Sequence, residues 1–489
     1  MGIVINQSIK NTVITYIGFL IGAANALFMY TNFLGKTYYG LTAFLLSSAN
    51  IMMPLMAFGV HNTLVKFYSG YKTEEEKSTF LSFVMLLPLL LIVPIGIIGY
   101  FAYEQIADFL SEENPIIHDF VWLIPVIGLL MGYFEIFYAW VKVHMLSVYG
   151  SFLKEVFLRV LISLFLFAVY FKYISVEEFI YITVGIYFTA TFAMAIFAFR
   201  VRRPTLTLRF PSDKKAIFIY SVFIIISGSV AVLLLDIDKF MLGQYIRIDN
   251  VAYYSVAIFI ATVVSVPSRA MHQITYPITA KLMSENKHDE LNALYKKTSV
   301  TLQVVGGLVL VGILVNVTQL YELIPREYSG GIFVVFAIGA SKYIDLLLGN
   351  NNAIIFNSKY YRMVLFLGLM LAVLAITLNM YFIPRYGIDG AAIATLISLI
   401  LYNAAKLLFV IFRMDLNPFT IQTLYSFVIF VLTFGVFYYW EFSFHPIINI
   451  VLKSALVSVF YLVISYKLKI SPDINSVINA VLKKVHLVK

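Results

Sequence analysis

The chain is written in blocks of about twenty consecutive apolar residues separated by short polar stretches, not in alternating apolar and polar positions. A bilayer core takes roughly 20 helical residues to cross, whereas a membrane strand takes about 10 in alternation. The blocks therefore predict helices and exclude a barrel. About fourteen spans fit, at approximately 9–34, 39–66, 79–103, 117–141, 150–171, 177–199, 214–236, 252–281, 298–317, 331–356, 361–383, 387–412, 420–440 and 446–468. One stretch breaks the pattern from inside. Tyr253–Ser284 is apolar and long enough to cross, yet Arg269 and His272 fall near its middle. A lipid-facing charge at that depth costs about 2.5–3.5 kcal/mol on insertion scales. Arg269, His272 and Gln273, spaced i, i+3, i+4, share one helix face, which is expected to look into a protein interior or a hydrated cavity.

The apolar blocks also repeat. Tyr38–Ser69 lies without gaps on Tyr253–Ser284, matching Tyr38, Tyr39, Phe44, Lys66 and Ser69 to Tyr253, Tyr254, Phe259, Lys281 and Ser284. Lys172-Tyr173 falls opposite Arg385-Tyr386 at nearly the same offset. A duplication of six helices, an even number, makes two repeats that point the same way. The expected divisions are 1–210 and 211–415 for the two six-helix lobes, 416–470 for two appended helices, and 471–489 for a tail. Pro54 and Pro267, two positions out of register, are expected to kink the matched helices and free backbone carbonyls there. In the tail, Ile474, Val477, Ile478, Val481, Leu482 and Val485 form a stripe beside Lys483, Lys484 and Lys489, predicting an amphipathic helix on an anionic membrane surface.

Composition agrees with the pattern. The 489 residues are 61% hydrophobic and 12% charged, against about a quarter charged in soluble domains. The net charge of +9 does not point to nucleic acid, because Lys and Arg cluster in alternate loops. Lys72 and Lys77, Lys142 and Lys154, Arg200 to Lys215, Lys281 to Lys297, Lys359 and Arg362, and Lys467 and Lys469 fall on one side. The opposite loop from Glu104 to Asp119 is acidic and has neither Lys nor Arg. This asymmetry predicts both termini in the cytoplasm. Ala24-Asn25-Ala26 resembles a signal-peptidase site, but apolarity continues to Leu34, and that orientation requires the first helix to be kept. Without cysteine there is neither disulfide nor Cys-ligated metal.

The remaining chemistry is intramembrane charge. Lys342 joins Arg269 as a candidate for attracting an anion, although Asp345 at i+3 is placed to neutralise it. His272 is a candidate proton relay or a packing histidine. Glu135 is a candidate proton or sodium site, with a helix-packing hydrogen bond as the alternative, and Asp345 is a second candidate. Asp236 and Asp238 are expected to cap the outer end of span seven. Arg159, Lys406, Lys453 and His61 lie within two turns of a helix end and are expected to snorkel. No phosphate-binding loop, metalloprotease helix or nucleophile elbow occurs, and no loop is long enough for a catalytic constellation, so the chain reads as a non-enzyme without cofactor or bound metal.

The stretches LLDIDKFMLGQYIRIDNVAYYSVA (Leu234–Ala257) and IPRYGIDGAAIATLIS (Ile383–Ser398), on a six-plus-six repeat with two helices appended, resemble the polysaccharide transporter branch of the MOP superfamily. Those are Wzx-type lipid-linked oligosaccharide flippases, related to MurJ lipid II flippases and MATE exporters. The resemblance implies a V-shaped pair of lobes alternating between inward- and outward-open states. It implies an undecaprenyl-diphosphate-linked saccharide moved from the cytoplasmic to the outer face of a bacterial plasma membrane, for O-antigen, capsule or exopolysaccharide. Proton or sodium antiport would drive the cycle, and a polysaccharide polymerase and chain-length machinery would be partners. A MATE-type exporter of small cations and a lipid II flippase are the alternatives.

Overall fold

Where there is no water, backbone polar groups must be satisfied within their own segment, and helix does so locally. The computed structural model describes residues 2–203, 207 and 209–484, and among them there is no β-strand. The helices are α1 (Gly2–Ala24, continued by a π-helix, Asn25–Leu34), α2 (Gly35–Met56), α3 (Val60–Phe67), α4 (Glu74–Leu86), α5 (Leu89–Phe101), α6 (Tyr103–Ser111), α7 (Leu123–Val143), α8 (Val148–Phe152) and α9 (Leu158–Tyr170). There follow α10 (Val176–Val201), α11 (Lys214–Tyr245), α12 (Asp249–Thr262), α13 (Val266–Ser284), α14 (His288–Glu322), α15 (Ile332–Leu347), α16 (Asn351–Asn357), α17 (Arg362–Met414), α18 (Ile421–Phe437), α19 (Pro446–Lys467) and α20 (Pro472–Lys484).

The protein is a multi-pass membrane protein. Among the described residues nine stretches are long and apolar enough to cross a bilayer, and Ile421–Phe437 is a shorter apolar helix. Two of the nine, Lys10–Met56 with 47 residues and Arg362–Met414 with 53, are about twice the length of one crossing. Each is interrupted by a glycine at positive φ, Gly35 at 69° and Gly387 at 58°. Elsewhere helices start on local signals. Thr73 with Glu76 and Ser175 with Glu178 form capping boxes at α4 and α10, supplying partners for backbone N–H groups that the helix leaves free.

Two compact units result, one of Met1–Ser255 with Asn379–Gly387, the other of Val256–Leu378 with Ile388–Lys489. In the first, Leu64, Phe80, Trp140 and Met194 are fully buried in one cluster joining α3, α4, α7 and α10. Close approach of α1 to the π-helical turn Leu153–Phe157 requires Gly18, where a Cβ would come within 2.4 Å of the Glu155 carbonyl oxygen. In the second, Val304, Val311, Ile429, Val457 and Tyr461 pack α19 and α18 onto α14. The start of α20 is pinned to α14, with Lys297 Nζ 2.7 Å from Asp473 and the Thr301 and Ser471 hydroxyls 2.9 Å apart. Beyond Lys484 the predicted stripe, with Val485 and Lys489, lies outside the described residues.

Both repeat-matched helices are interrupted, though not as two interior prolines. Pro54 is inside α2, whose carbonyl accepts from Gly59 N at 3.1 Å, and Gly59 (φ 63°) then turns the chain into α3. Pro267 is instead in the first turn of α13, after a 3₁₀ turn at Val263–Ser265. A proline there costs no intrahelical bond, so the 3₁₀ turn makes the break and the proline starts the next helix.

Candidate functional site

In the second unit the break at Val263–Ser265 places Arg269 at the beginning of α13. Arg269 and Gln273 are exposed and His272 is half-buried, one helical face as the spacing requires. Among the described residues Arg269 has no ion-paired or hydrogen-bonded partner. An exposed, uncompensated guanidinium inside an apolar span needs water or an anion beside it.

Lys342 and Asp345 are one turn apart on α15, both half-buried. Asp345 Oδ1 is 3.4 Å from the Nζ of Lys406 on α17, which also reaches the Asn352 Oδ1 at 3.2 Å and stands 4.4 Å from the centre of the Tyr402 ring. His272 interacts electrostatically with both Asp345 and Lys406. The structure thus gathers His272 and Asp345 around a lysine that was expected to snorkel. Lys406 does not, with 3% of its side chain exposed. Lys453 does not either, at 1%. Distance to the helix end, counted along the chain, says nothing about the neighbouring helices that close over both.

In the first unit Glu135 on α7 is ion-paired to Lys154 in the π-helical turn Leu153–Phe157, with His61 and Lys142 within electrostatic reach of the carboxylate. Lys142 Nζ lies 3.7 Å from the centre of the Tyr138 ring, and the Tyr138 hydroxyl is 2.7 Å from that of Ser151. One acid therefore sits among two lysines and a histidine, an arrangement with surplus positive charge. Arg159 is paired with Glu155 at 3.1 Å, and the Asn25 amide donates to its carbonyl at 2.9 Å.

Asp238 is not a loop cap. Because α11 runs on to Tyr245, this acid is internal and 1% exposed. Tyr254 Oη donates to its Oδ2 at 2.6 Å and Asn379 Nδ2 to its Oδ1 at 2.7 Å. The Asn379 Oδ1 is itself buried and accepts no hydrogen bond among the described residues, leaving a spare oxygen beside a buried carboxylate. Nearby Asp236 is 3.8 Å from Lys239. The signal available in the sequence was the distance of Asp238 from the next turn residues, Arg247 to Asn250, which allows two further helical turns.

The sequence model of the family described as "Polysaccharide biosynthesis protein" matches residues 6–283. The "Probable flippase AglR" of Haloferax volcanii is 27% identical over 175 residues, which is 34% of this chain and 35% of that relative, so the match spans about a third of the relative's length. Among solved structures, "Lipid II flippase MurJ, inward closed conformation" superposes with a TM-score of 0.74 at 16% identity, covering 94% of this chain and 99% of the other. An inward-facing multidrug resistance MATE family transporter of the MOP superfamily gives 0.64 at 15% identity, over 83% and 98%. A MOP superfamily transporter from Pyrococcus furiosus gives 0.57 at 14%, over 89% and 96%. At such identities the likeness concerns the fold.

Proposed function

Because the chain belongs to the polysaccharide biosynthesis protein family, we propose that it is a flippase for undecaprenyl-diphosphate-linked oligosaccharides. It moves them from the cytoplasmic to the outer face of the plasma membrane by ion-coupled alternating access of lobes 1–210 and 211–415, with both termini cytoplasmic. The observation that carries this reading is Arg269, an exposed cation without a protein partner among the described residues, inside the candidate membrane span Asp249–Ser284. A diphosphate supplies the counter-charge such a group lacks, and sugars tolerate the water it needs. In this scheme Arg269 and Lys342 hold the diphosphate, His272 and Gln273 contact the headgroup on the same face, and the lipid tail stays in the bilayer.

Asp345 and Glu135 are the acids that respond to the coupling ion, H⁺ or Na⁺. Each is tied to a lysine, so protonation or a bound cation releases a positive charge and biases one helix arrangement over another. Asp238, held by Tyr254 and Asn379 rather than by a lysine and with the spare Asn379 oxygen beside it, is a third acid placed to respond to the ion. An exporter of small cations calls for a neutral or acidic passage, which an exposed arginine opposes.

Glycan export tests the scheme in a host that lacks its own flippase. Arg269→Ala and Lys342→Ala each reduce surface glycan at unchanged protein level. Normal export by both variants removes the cationic passage from the account.

A further inference from the structure

A cavity of about 510 Å³ lies in the first unit between α2, α5, α6 and α7, and none of the charged groups described above lines it. That volume is in the range of small-molecule sites, roughly 300–1,000 Å³. Its walls are almost wholly apolar, including Met52, Ile95, Ile106, Trp122 and Leu129. It exists because α5 stands off its neighbours: none of the residues of α5 is buried. An apolar space in a membrane helix bundle takes a hydrocarbon chain.

The rim selects the head of that chain. Helix α6 is two-faced: Tyr103, Ile106 and Leu110 line the cavity, while Glu104 and Asp108 stand on the adjoining face. His118, from the 3₁₀ turn Pro115–Phe120, has its Nε2 3.5 Å from Glu104 and 3.7 Å from Asp108, and its Nδ1 3.6 Å from Asp119. The Tyr103 hydroxyl donates to the His118 carbonyl at 3.4 Å, fastening this cluster to the cavity wall. Glu112 and Glu113 follow in the same stretch of chain, and no Lys or Arg occurs between Glu104 and Asp119. Tyr100, Tyr103 and Trp122, which also line the cavity, are the residue types of an aromatic belt.

We propose that this is a binding site for a phospholipid with an ammonium headgroup, one acyl chain in the cavity and the amine on Glu104, Asp108 and Asp119. Phosphatidylethanolamine has that chemistry. An anionic lipid, or a polyprenyl phosphate, would bring negative charge onto carboxylates and is excluded by the same rim.

Native mass spectrometry of the full-length protein released from nanodiscs of equimolar dioleoyl phosphatidylethanolamine and phosphatidylglycerol tests this. One phosphatidylethanolamine is expected to be retained in preference. At Gly96 and Gly99, both lining the cavity, an added Cβ meets nothing within 4 Å, so the backbone there accepts a side chain and Gly99→Phe, which brings a ring to the cavity wall, should displace that lipid. Glu104→Gln with Asp108→Asn, both exposed, should reduce the preference about tenfold, as the loss of a charge-assisted contact does. Melting temperatures near wild type show that both variants are folded. The proposal is overturned by phosphatidylglycerol being retained as well, by retention unchanged in Gly99→Phe, by no lipid being retained, or by loss of retention in a chelator, which would assign the rim to a metal ion.

Discussion

Lys406 and Asp345 form a 3.4 Å ion pair in which the cation is the enclosed member, with 3% of the lysine side chain exposed against 46% of the aspartate. The Glu135–Lys154 pair of the first unit is built the other way round, the acid 15% exposed and the lysine 49%. Breaking a buried pair is costly when the partner left behind cannot reach water.

The two pairs should therefore respond oppositely. Asp345→Ala strands the Lys406 ammonium with only Asn352 as acceptor among the described residues and is expected to cost about 3 kcal/mol, whereas Lys406→Met leaves a half-exposed carboxylate and costs about 1 kcal/mol or less. In the first unit Lys154→Met is the damaging change and Glu135→Gln the mild one. Thermal unfolding of the four variants in detergent gives the order. Equal losses within each pair would show that burial does not set the cost.

Asp238 should behave as the centre of a coupled network. Tyr254→Phe and Asn379→Ala each remove one donor from a buried carboxylate and are expected to lower stability by about 1–3 kcal/mol. Since both act on the same group, the double variant should depart from the sum of the singles by at least about 0.5 kcal/mol. Strict additivity in a thermal double-mutant cycle would contradict the shared network.

Gly59 holds the break between α2 and α3. Its φ of 63° disfavours any residue with a Cβ, and an added Cβ would also lie 2.5 Å from the Ser221 carbonyl oxygen. Gly59→Ala should lose about 2 kcal/mol or more from backbone strain and that clash. Gly435, where a Cβ meets nothing within 4 Å, is the control: Gly435→Ala should be neutral or stabilising. Similar melting temperatures for the two would deny that the break is specified at Gly59.

The helical membrane architecture was legible because a bilayer imposes one length and one composition on whatever crosses it, and both are linear properties of the chain. The shared face of Arg269, His272 and Gln273 was legible for the same reason, following from helical spacing alone. What was not legible depends on which helices close over a residue. Lys406 and Lys453 count as near a helix end, yet neighbouring helices bury them. Lys154 counts as a loop cation favouring one side of the membrane, yet it is the partner of Glu135. Asp238 counts as terminal only if α11 stops early; apolarity does not fix where the helix ends, and only the spacing to the turn residues Arg247 to Asn250 signals that it continues to Tyr245.

Reconstituted translocation tests the central claim most directly. In proteoliposomes carrying a fluorescent undecaprenyl-diphosphate oligosaccharide, the rate of its passage to the opposite leaflet is followed for wild type, Arg269→Lys and Arg269→Ala. Arg269 is exposed, so neither substitution should move the melting temperature. Losing one charge-assisted contact to the diphosphate should slow Arg269→Ala about tenfold or more, while Arg269→Lys keeps a large part of the rate. Translocation by Arg269→Ala at the wild-type rate would contradict the account.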